Sequence, residues 1–290
     1  MTSSRIIFYV CIALVAFVSG CDDIANSIQH RGPVNISFNF KKDSTYLYIV
    51  DSRMLLMPEV NGKTLSIKQE MKLVATYKVL SASENQKNLT VTYTRITMSS
   101  GNGSVSSDFD SDDSTNLDPL FQPIAALIHQ PFNITVSDKG LSSAQQLYTA
   151  SINDSTTTTH SFGDSSLRKM MMQCLNFYPP QPVNIGDSWK RSYTTSTGFL
   201  HMRLDNTYTL KSIDNDVAHI ELNANIFPED TTHMMKFKGI QSGNIDVEIS
   251  SGMILNSKIS QQFKGTIMIA DKQHPVDASS EITIYGNKQQ

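Results

Sequence analysis

Met71-Lys72-Leu73-Val74-Ala75-Thr76-Tyr77 and Met202-Arg203-Leu204-Asp205-Asn206-Thr207-Tyr208 read as two versions of one strand, 131 residues apart. In each, Met, a basic residue and Leu are followed, after two intervening residues, by Thr-Tyr. A polar turn and a second alternating strand come next in both, over 89–98 and over 218–226. Upstream, Asp43-Ser44-Thr45-Tyr46 aligns with Asp187-Ser188-Trp189-Lys190 at an offset of 144, and the difference of 13 reads as a shorter hairpin in the second copy. The pattern is a weak two-fold repeat of a β-meander, and its simplest assembly is one continuous antiparallel sheet.

Working outward, Ile36, Phe38 and Phe40 alternate with polar residues, as do Tyr46, Tyr48 and Val50. Period-two alternation marks a strand with one buried face. Asp43-Ser44 supplies a turn, and Asn61-Gly62 predicts a tight hairpin because both residues accept positive φ. Strands follow over 66–80 and 89–98, joined by a turn at 81–88. Later turns are expected near Ser242-Gly243, Ser251-Gly252 and His274-Pro275. Helical signals fall only between the copies. Asp118-Pro119 is an N-cap followed by proline at the first helical position, with Leu120, Ile124 and Leu127 on one face before Pro131. From Asp164, the residues Leu167, Met170, Met171, Cys174 and Leu175 follow amphipathic spacing as far as Pro179-Pro180, and a weaker helix is expected over 142–150. The fold expected is mainly β: a single large curved antiparallel sheet or half-barrel with a short α-helical insert. The first meander covers 35–98, a mobile acidic loop 99–117, the helical insert 118–180 and the second meander 181–290.

The N-terminus carries an address. Residues 6–18 form an apolar run of 13 behind Arg5, too short to span a bilayer and right for the centre of a signal peptide. It ends in Val18-Ser19-Gly20-Cys21, which resembles a bacterial lipobox. On that reading residues 1–20 are removed and Cys21 becomes a lipidated N-terminus carrying acyl chains such as palmitate. Two or more chains anchor a protein stably without spanning. Residues 21–34 form the tether; the thirteen from Asp22 to Val34 reach at most ~45 Å. The location expected is the cell envelope, anchored to the inner or outer membrane with the domain outside the cytoplasm.

Removing residues 1–20 takes away one charge, Arg5, leaving 23 Lys+Arg against 27 Asp+Glu, a net charge of −4. Without a basic cluster, the chain has no phosphate track for nucleic acid. Cys11 leaves with the signal and Cys21 takes the lipid, so Cys174 is the only remaining thiol and no intramolecular disulfide can form.

Several stretches together resemble an uncharacterised family of Gram-negative cell-envelope lipoproteins, a domain of unknown function. They are the lipobox, Lys42-Asp43-Ser44-Thr45-Tyr46-Leu47-Tyr48, the run from Pro131 through Asn133-Ile134-Thr135 to Gly140, and Tyr178-Pro179-Pro180 leading into Gly186-Asp187-Ser188-Trp189. The resemblance implies no known activity. At the level of fold alone, the chain is similar to the half-barrel of periplasmic lipoprotein carriers, and fold analogy assigns no function.

No catalytic constellation stands out, and the chain reads as a non-enzyme without a cofactor. Asp108, Asp110 and Asp112 alternate as in calcium loops, but the sixth and twelfth positions hold Asp113 and Pro119 where glycine and glutamate are needed. None of the seven histidines pairs at metal-binding spacing. Cys174, on an apolar helix face, reads as a small buried hydrophobe. Leu167, Met170, Met171 and Leu175 admit two readings: core packed on the sheet, or an adaptable apolar site for a hydrophobic ligand beneath the helix. The partners expected are membrane lipid through Cys21 and either a hydrophobic ligand or another envelope protein.

Overall fold

Strand alternation governs this chain wherever its structure is described. The computed structural model describes residues 32–102, 105–113, 115, 121–140, 174–197, 200–229, 235–269 and 272–289. Twelve strands make one antiparallel sheet. In chain order they are β1 (Thr45–Val60), β2 (Lys63–Thr64), β3 (Ile67–Ala82), β4 (Gln86–Gly101), β5 (Ser106–Asp110) and β6 (Phe132–Ser137). The second half supplies β7 (Ser188–Thr197), β8 (Leu200–Asp214), β9 (Val217–Pro228), β10 (Met235–Glu248), β11 (Ile254–Ile269) and β12 (Lys272–Gln289). The order is β5-β4-β3-β1-β12-β11-β10-β9-β8-β7, with β2 on β1 and β6 on β4. The sheet is open: β5 and β7 end the path. The β1–β12 pair welds the two meanders into one sheet, from Thr45↔Gln289 to Pro58↔Val276.

The repeat is visible in the hydrogen-bond register. Tyr77 faces Val91 and Tyr208 faces Leu222, both 131 apart. The ladder slips between Val79 and Ser81 in the first hairpin and between Leu210 and Ser212 in the second, again 131 apart. Each slip is a β-bulge that re-aims the strand. The upstream strand corrects the sequence alignment by one residue. Tyr46 pairs with Tyr77 and Trp189 with Tyr208, so the offset there is 143 and Trp189 takes the place of Tyr46. The second copy has one residue fewer between its Asp-Ser turn and its inward aromatic.

The alternating residues 36–40 form no strand. They cross the inward face as an extended segment with Ile36, Phe38 and Phe40 buried to 1% exposure or less. The Phe38 amide donates to Asp138 O, and the Asn39 amide to Ser251 O. Beside it, 174–183 lies antiparallel through the Val34–Val183 bridge. Together they make a plug whose rings stack into the sheet: Phe38 on Phe40 at 4.3 Å, Phe40 on Tyr46 at 3.7 Å, Phe177 on Tyr178 at 4.2 Å. Burying each such side chain contributes about 2 kcal/mol. Gly252, at φ +73, lets the backbone of Ser37 come so close that a Cβ there would overlap it.

Other expectations are corrected. Ser242-Gly243 lies inside β10, where Gly243 faces the inside opposite Ile259 and turns nothing. His274-Pro275 lies inside β12, with Pro275 just beyond the β1 pairing that begins at Val276, so its missing N–H need not serve two ladders. The acidic loop contains β5, which lengthens the β4 edge. Of the helical insert, the described residues hold one turn, α1 (Gln122–Ala125), with Ile124 and Leu127 buried. Asp118, Pro119, Leu120, the start of the second helix and the whole of the third lie outside the described residues.

Candidate functional site

The antiparallel register divides the inward face into two ends. At the plugged end, one large apolar cluster runs from Phe109 on β5 round to Trp189 on β7 and encloses the plug. It is held by directed bonds as well as by packing. The Trp189 indole N–H donates to Phe177 O at 2.6 Å, and the Tyr178 hydroxyl donates to Gly252 O at 2.9 Å. At the other end a second cluster gathers Met202, Leu204, Ile226, Phe237, Phe263, Val276 and Ala278, drawn from five strands. Every one of these residues belongs to the sheet.

Between the two clusters runs a row of inward side chains in consecutive register, polar at every position but Ala224: Arg191, Asn206, Ala224, Gln241, Gln261 and Ser280. Asn206, Gln241, Gln261 and Ser280 are buried, between 1% and 7% exposed. The amides form a relay: Gln261 Nε2 donates to Gln241 Oε1 at 2.5 Å, Gln241 Nε2 to Asn206 Oδ1 at 3.5 Å, and Asn206 Nδ2 to the Tyr208 hydroxyl at 2.9 Å. Asn206 also hydrogen-bonds the Tyr193 hydroxyl, which burial pushes up to about 12. Burial likewise holds Tyr208 well above the usual phenol range, so both stay neutral hydroxyls at physiological pH. Arg191, half-buried, donates from Nε and Nη2 to Tyr178 O at 2.9 and 2.6 Å. The row thus starts at the base of the plug.

The same row in the first copy is Tyr48, Ala75 and Tyr93, in identical register, with exposures of 1%, 0% and 1%. There it is filled by rings, Tyr48 against Tyr77 at 5.2 Å and Tyr93 against Phe132 at 5.4 Å. In the second copy a cation, an amide and a methyl stand in their place.

Of the residues singled out from sequence, Cys21, Leu167, Met170 and Met171 lie outside the described residues. Leu175 is 1% exposed within the plug and belongs to the main core. Cys174 is core too, its thiol pushed up to about 12 by burial. The acidic stretch turns on a cation the chain itself supplies: Arg95 meets Asp110 at 2.6 Å and Asp112 at 3.2 Å, which holds the Asp110 carboxyl below its ordinary range. Sequence reading missed Arg191, Asn206, Gln241 and Gln261. The signal was present, since each interrupts the apolar phase of its strand, as Asn206 does between Leu204 and Tyr208.

The outward face is polar. Asp51, Arg53, Lys258, Glu281, Thr283 and the half-exposed Tyr285 line a groove of about 380 Å³ over β1, β11 and β12. Nearby, His219 Nδ1 meets Asp246 at 2.7 Å.

In sequence, no curated protein matches the chain. Among solved structures the chain is similar to lipovitellin, in the structure reported as "Lipid-protein interactions in lipovitellin", with a TM-score of 0.51 and 12% identity over 87% of this chain. It spans 26% of the lipovitellin chain, and the likeness supports the fold alone. The translocator domain of autotransporter NalP from Neisseria meningitidis covers 90% of this chain and is 91% covered in turn, at 8% identity. Its TM-score of 0.21 carries no argument. Residues 151–254, which include Arg191, Asn206, Ala224 and Gln241, match the model of a family of unknown function (DUF6263), in keeping with the expected resemblance to an uncharacterised family.

Proposed function

We propose that this chain is a non-enzymatic envelope lipoprotein, anchored through an acylated Cys21, that binds a hydrophobic molecule on the inward face of its sheet at the end away from the plug. One observation carries the ligand reading: among the described residues, an apolar cluster on that face stands apart from the main core across a row that holds the buried amides Asn206, Gln241 and Gln261. A polar group placed in a core costs about 1–3 kcal/mol relative to an apolar one unless it is well bonded. The first copy shows how this frame is filled when filling is all that is required. Amides between two apolar regions suit a molecule with both an apolar body and a polar group. The lipovitellin structure concerns lipid-protein interactions of that protein, and its sheet lends the reading support from fold analogy only.

The test uses the full chain with Cys21→Ser, which removes the acylation site and keeps every other residue. Acyl labelling should be lost and the protein released from membranes; persistent labelling overturns the anchor. Native mass spectrometry of the released protein, before and after organic extraction, should lose one discrete hydrophobic mass near unit stoichiometry. An unchanged mass overturns the ligand reading and turns attention to the outward groove. Its mixed charges and half-exposed Tyr285 are the features that favour a protein partner as the second reading.

A further inference from the structure

Outward-facing charges follow one rule around β1 and break it at β10. On β1, Arg53 stands between Glu70 and Glu281, and Asp51 stands opposite Lys72. Opposite charges across a ladder stabilise a sheet, whereas like charges directly opposite weaken it. Lys238 on β10 nevertheless stands directly opposite Lys264 on β11. Lys236, two residues along β10, faces Thr266, and Arg203 on β8 faces Phe227 on β9. All four cations are exposed. The carboxylates beside them are Asp277, across the ladder from Lys264, and Asp205, which meets Arg203 at 3.3 Å. The chain as a whole carries a net charge of −3, so this positive patch runs against its overall balance.

Apolar side chains stand among the cations. Ile240 is 57% exposed and Phe227 38% exposed. Ile240 faces Asn225, two residues from Phe227, so the two are diagonal neighbours on one face. The Arg203 guanidinium lies 4.9 Å from the centre of the Phe227 ring. Facing lysines and a water-exposed isoleucine do nothing for the fold. Both become favourable against a surface that is negative outside and apolar just beneath.

We propose that this end of the outward face, formed by Arg203, Phe227, Lys236, Lys238, Ile240 and Lys264, docks on an anionic lipid surface. The cations lie among the headgroups, and Ile240 and Phe227 enter the boundary between headgroups and acyl chains. Composition decides between a membrane and an acidic protein. Protein interfaces are depleted in lysine and enriched in arginine and aromatic residues. A diffuse negative surface asks only for point charges on flexible stems, which lysine supplies. The docking rests on neither the ligand reading nor acylation of Cys21.

The full chain carrying Cys21→Ser is mixed with vesicles of phosphatidylcholine alone, or of phosphatidylcholine and phosphatidylglycerol in equal parts, and bound protein is measured by co-sedimentation. The neutral vesicles report what the apolar run at 6–18 contributes by itself, so the ratio reads the charge. Binding to the anionic vesicles is expected to be at least about tenfold stronger at low salt, since each lysine near such a surface contributes roughly fivefold. The preference should collapse at high salt, where the Debye length shrinks. Lys238→Gln combined with Lys264→Gln should abolish it without changing binding to neutral vesicles, and Ile240→Ser should weaken anionic binding several-fold. Lys72→Gln, at the other end of the face, should leave the ratio in place. The wild-type ratio and its salt dependence decide even if a variant fails to fold. Equal binding to both vesicles overturns the proposal and leaves the patch to an acidic protein. A preference that survives the double variant, or that Lys72→Gln removes, overturns the assignment to this end of the sheet.

Discussion

The two hairpins β3–β4 and β8–β9 share a bulge and a register as far as Ala75–Tyr93 and Asn206–Ala224, beyond which β3–β4 shifts again between Val74 and Ala75, and they build opposite interiors. In the first, the row Tyr48–Ala75–Tyr93 is packed with rings and closed against Phe132 and the plug. In the second, the row Arg191–Asn206–Ala224 is polar and small, and it continues into Gln241 and Gln261. A duplicated frame therefore separates what the backbone needs from what the side chains add. Alternation and bulge position hold both sheets. Ring-filled packing stabilises one end, and the other end carries buried polarity that stability alone does not explain.

The sharpest way to break this contrast is to give the filled row the open row's residue. Tyr93→Ala removes a buried ring and leaves a cavity, with an expected loss of about 3–5 kcal/mol in urea unfolding. A loss below about 1 kcal/mol would mean that the first row is not tightly filled.

A second effect belongs to the plug, where the Cys174 thiol is held up to about 12 from an ordinary 9.0. The folded state then keeps a proton that the unfolded chain releases. The resulting stabilisation is present in full below pH 9 and is lost as pH rises towards 12, at about 1.4 kcal/mol per pH unit for one such group. Buried tyrosines such as Tyr77 and Tyr178 act in the same direction. Cys174→Ala should therefore flatten the fall in urea midpoint between pH 9 and 11. An unchanged slope would place the thiol in contact with water.

The smallest effect is expected at the β4–β5 edge, where Arg95 holds Asp110 ionised. Because the Asp110 carboxyl is lowered in the folded state, its contribution is present above the ordinary carboxylate range and disappears as pH falls below it. Both groups are solvent-exposed, so Asp110→Asn should lower the midpoint slightly at pH 7 in low salt and hardly at all in high salt. A large loss would show that β5 depends on this pair.

Much of the frame was legible in the chain itself. Asn61-Gly62 predicted a turn that takes positive φ at both residues, 53° and 71°. The Met-basic-Leu triplets predicted two hairpins that prove to be in one register. The Asp-Ser-Trp alignment slipped by one because a turn can shed a residue without altering the strand that follows. Ile36, Phe38 and Phe40 were misread for a more general reason: alternation reports that every second side chain is buried, not which backbone it pairs with. An extended segment lying on a sheet produces the same pattern as a strand within one. The polar row was legible only as a fault in the apolar phase at Asn206 and Gln241, and single faults in one strand carry little weight. They gain meaning when the register aligns them across β7 to β11.

The central claim is that the second copy carries small and polar side chains where the first is filled with rings, and that a hydrophobic molecule binds beside them. Ala224→Tyr restores the first copy's residue at that point. Its most direct test is native mass spectrometry of Ala224→Tyr beside the parent chain, both in the Cys21→Ser background, with urea midpoints measured in parallel. The prediction is loss of the bound hydrophobic mass from a chain that still folds, with a stability cost of about 1–3 kcal/mol for placing a ring at the buried Ala224. Retention of the full ligand load in a folded Ala224→Tyr chain would contradict it.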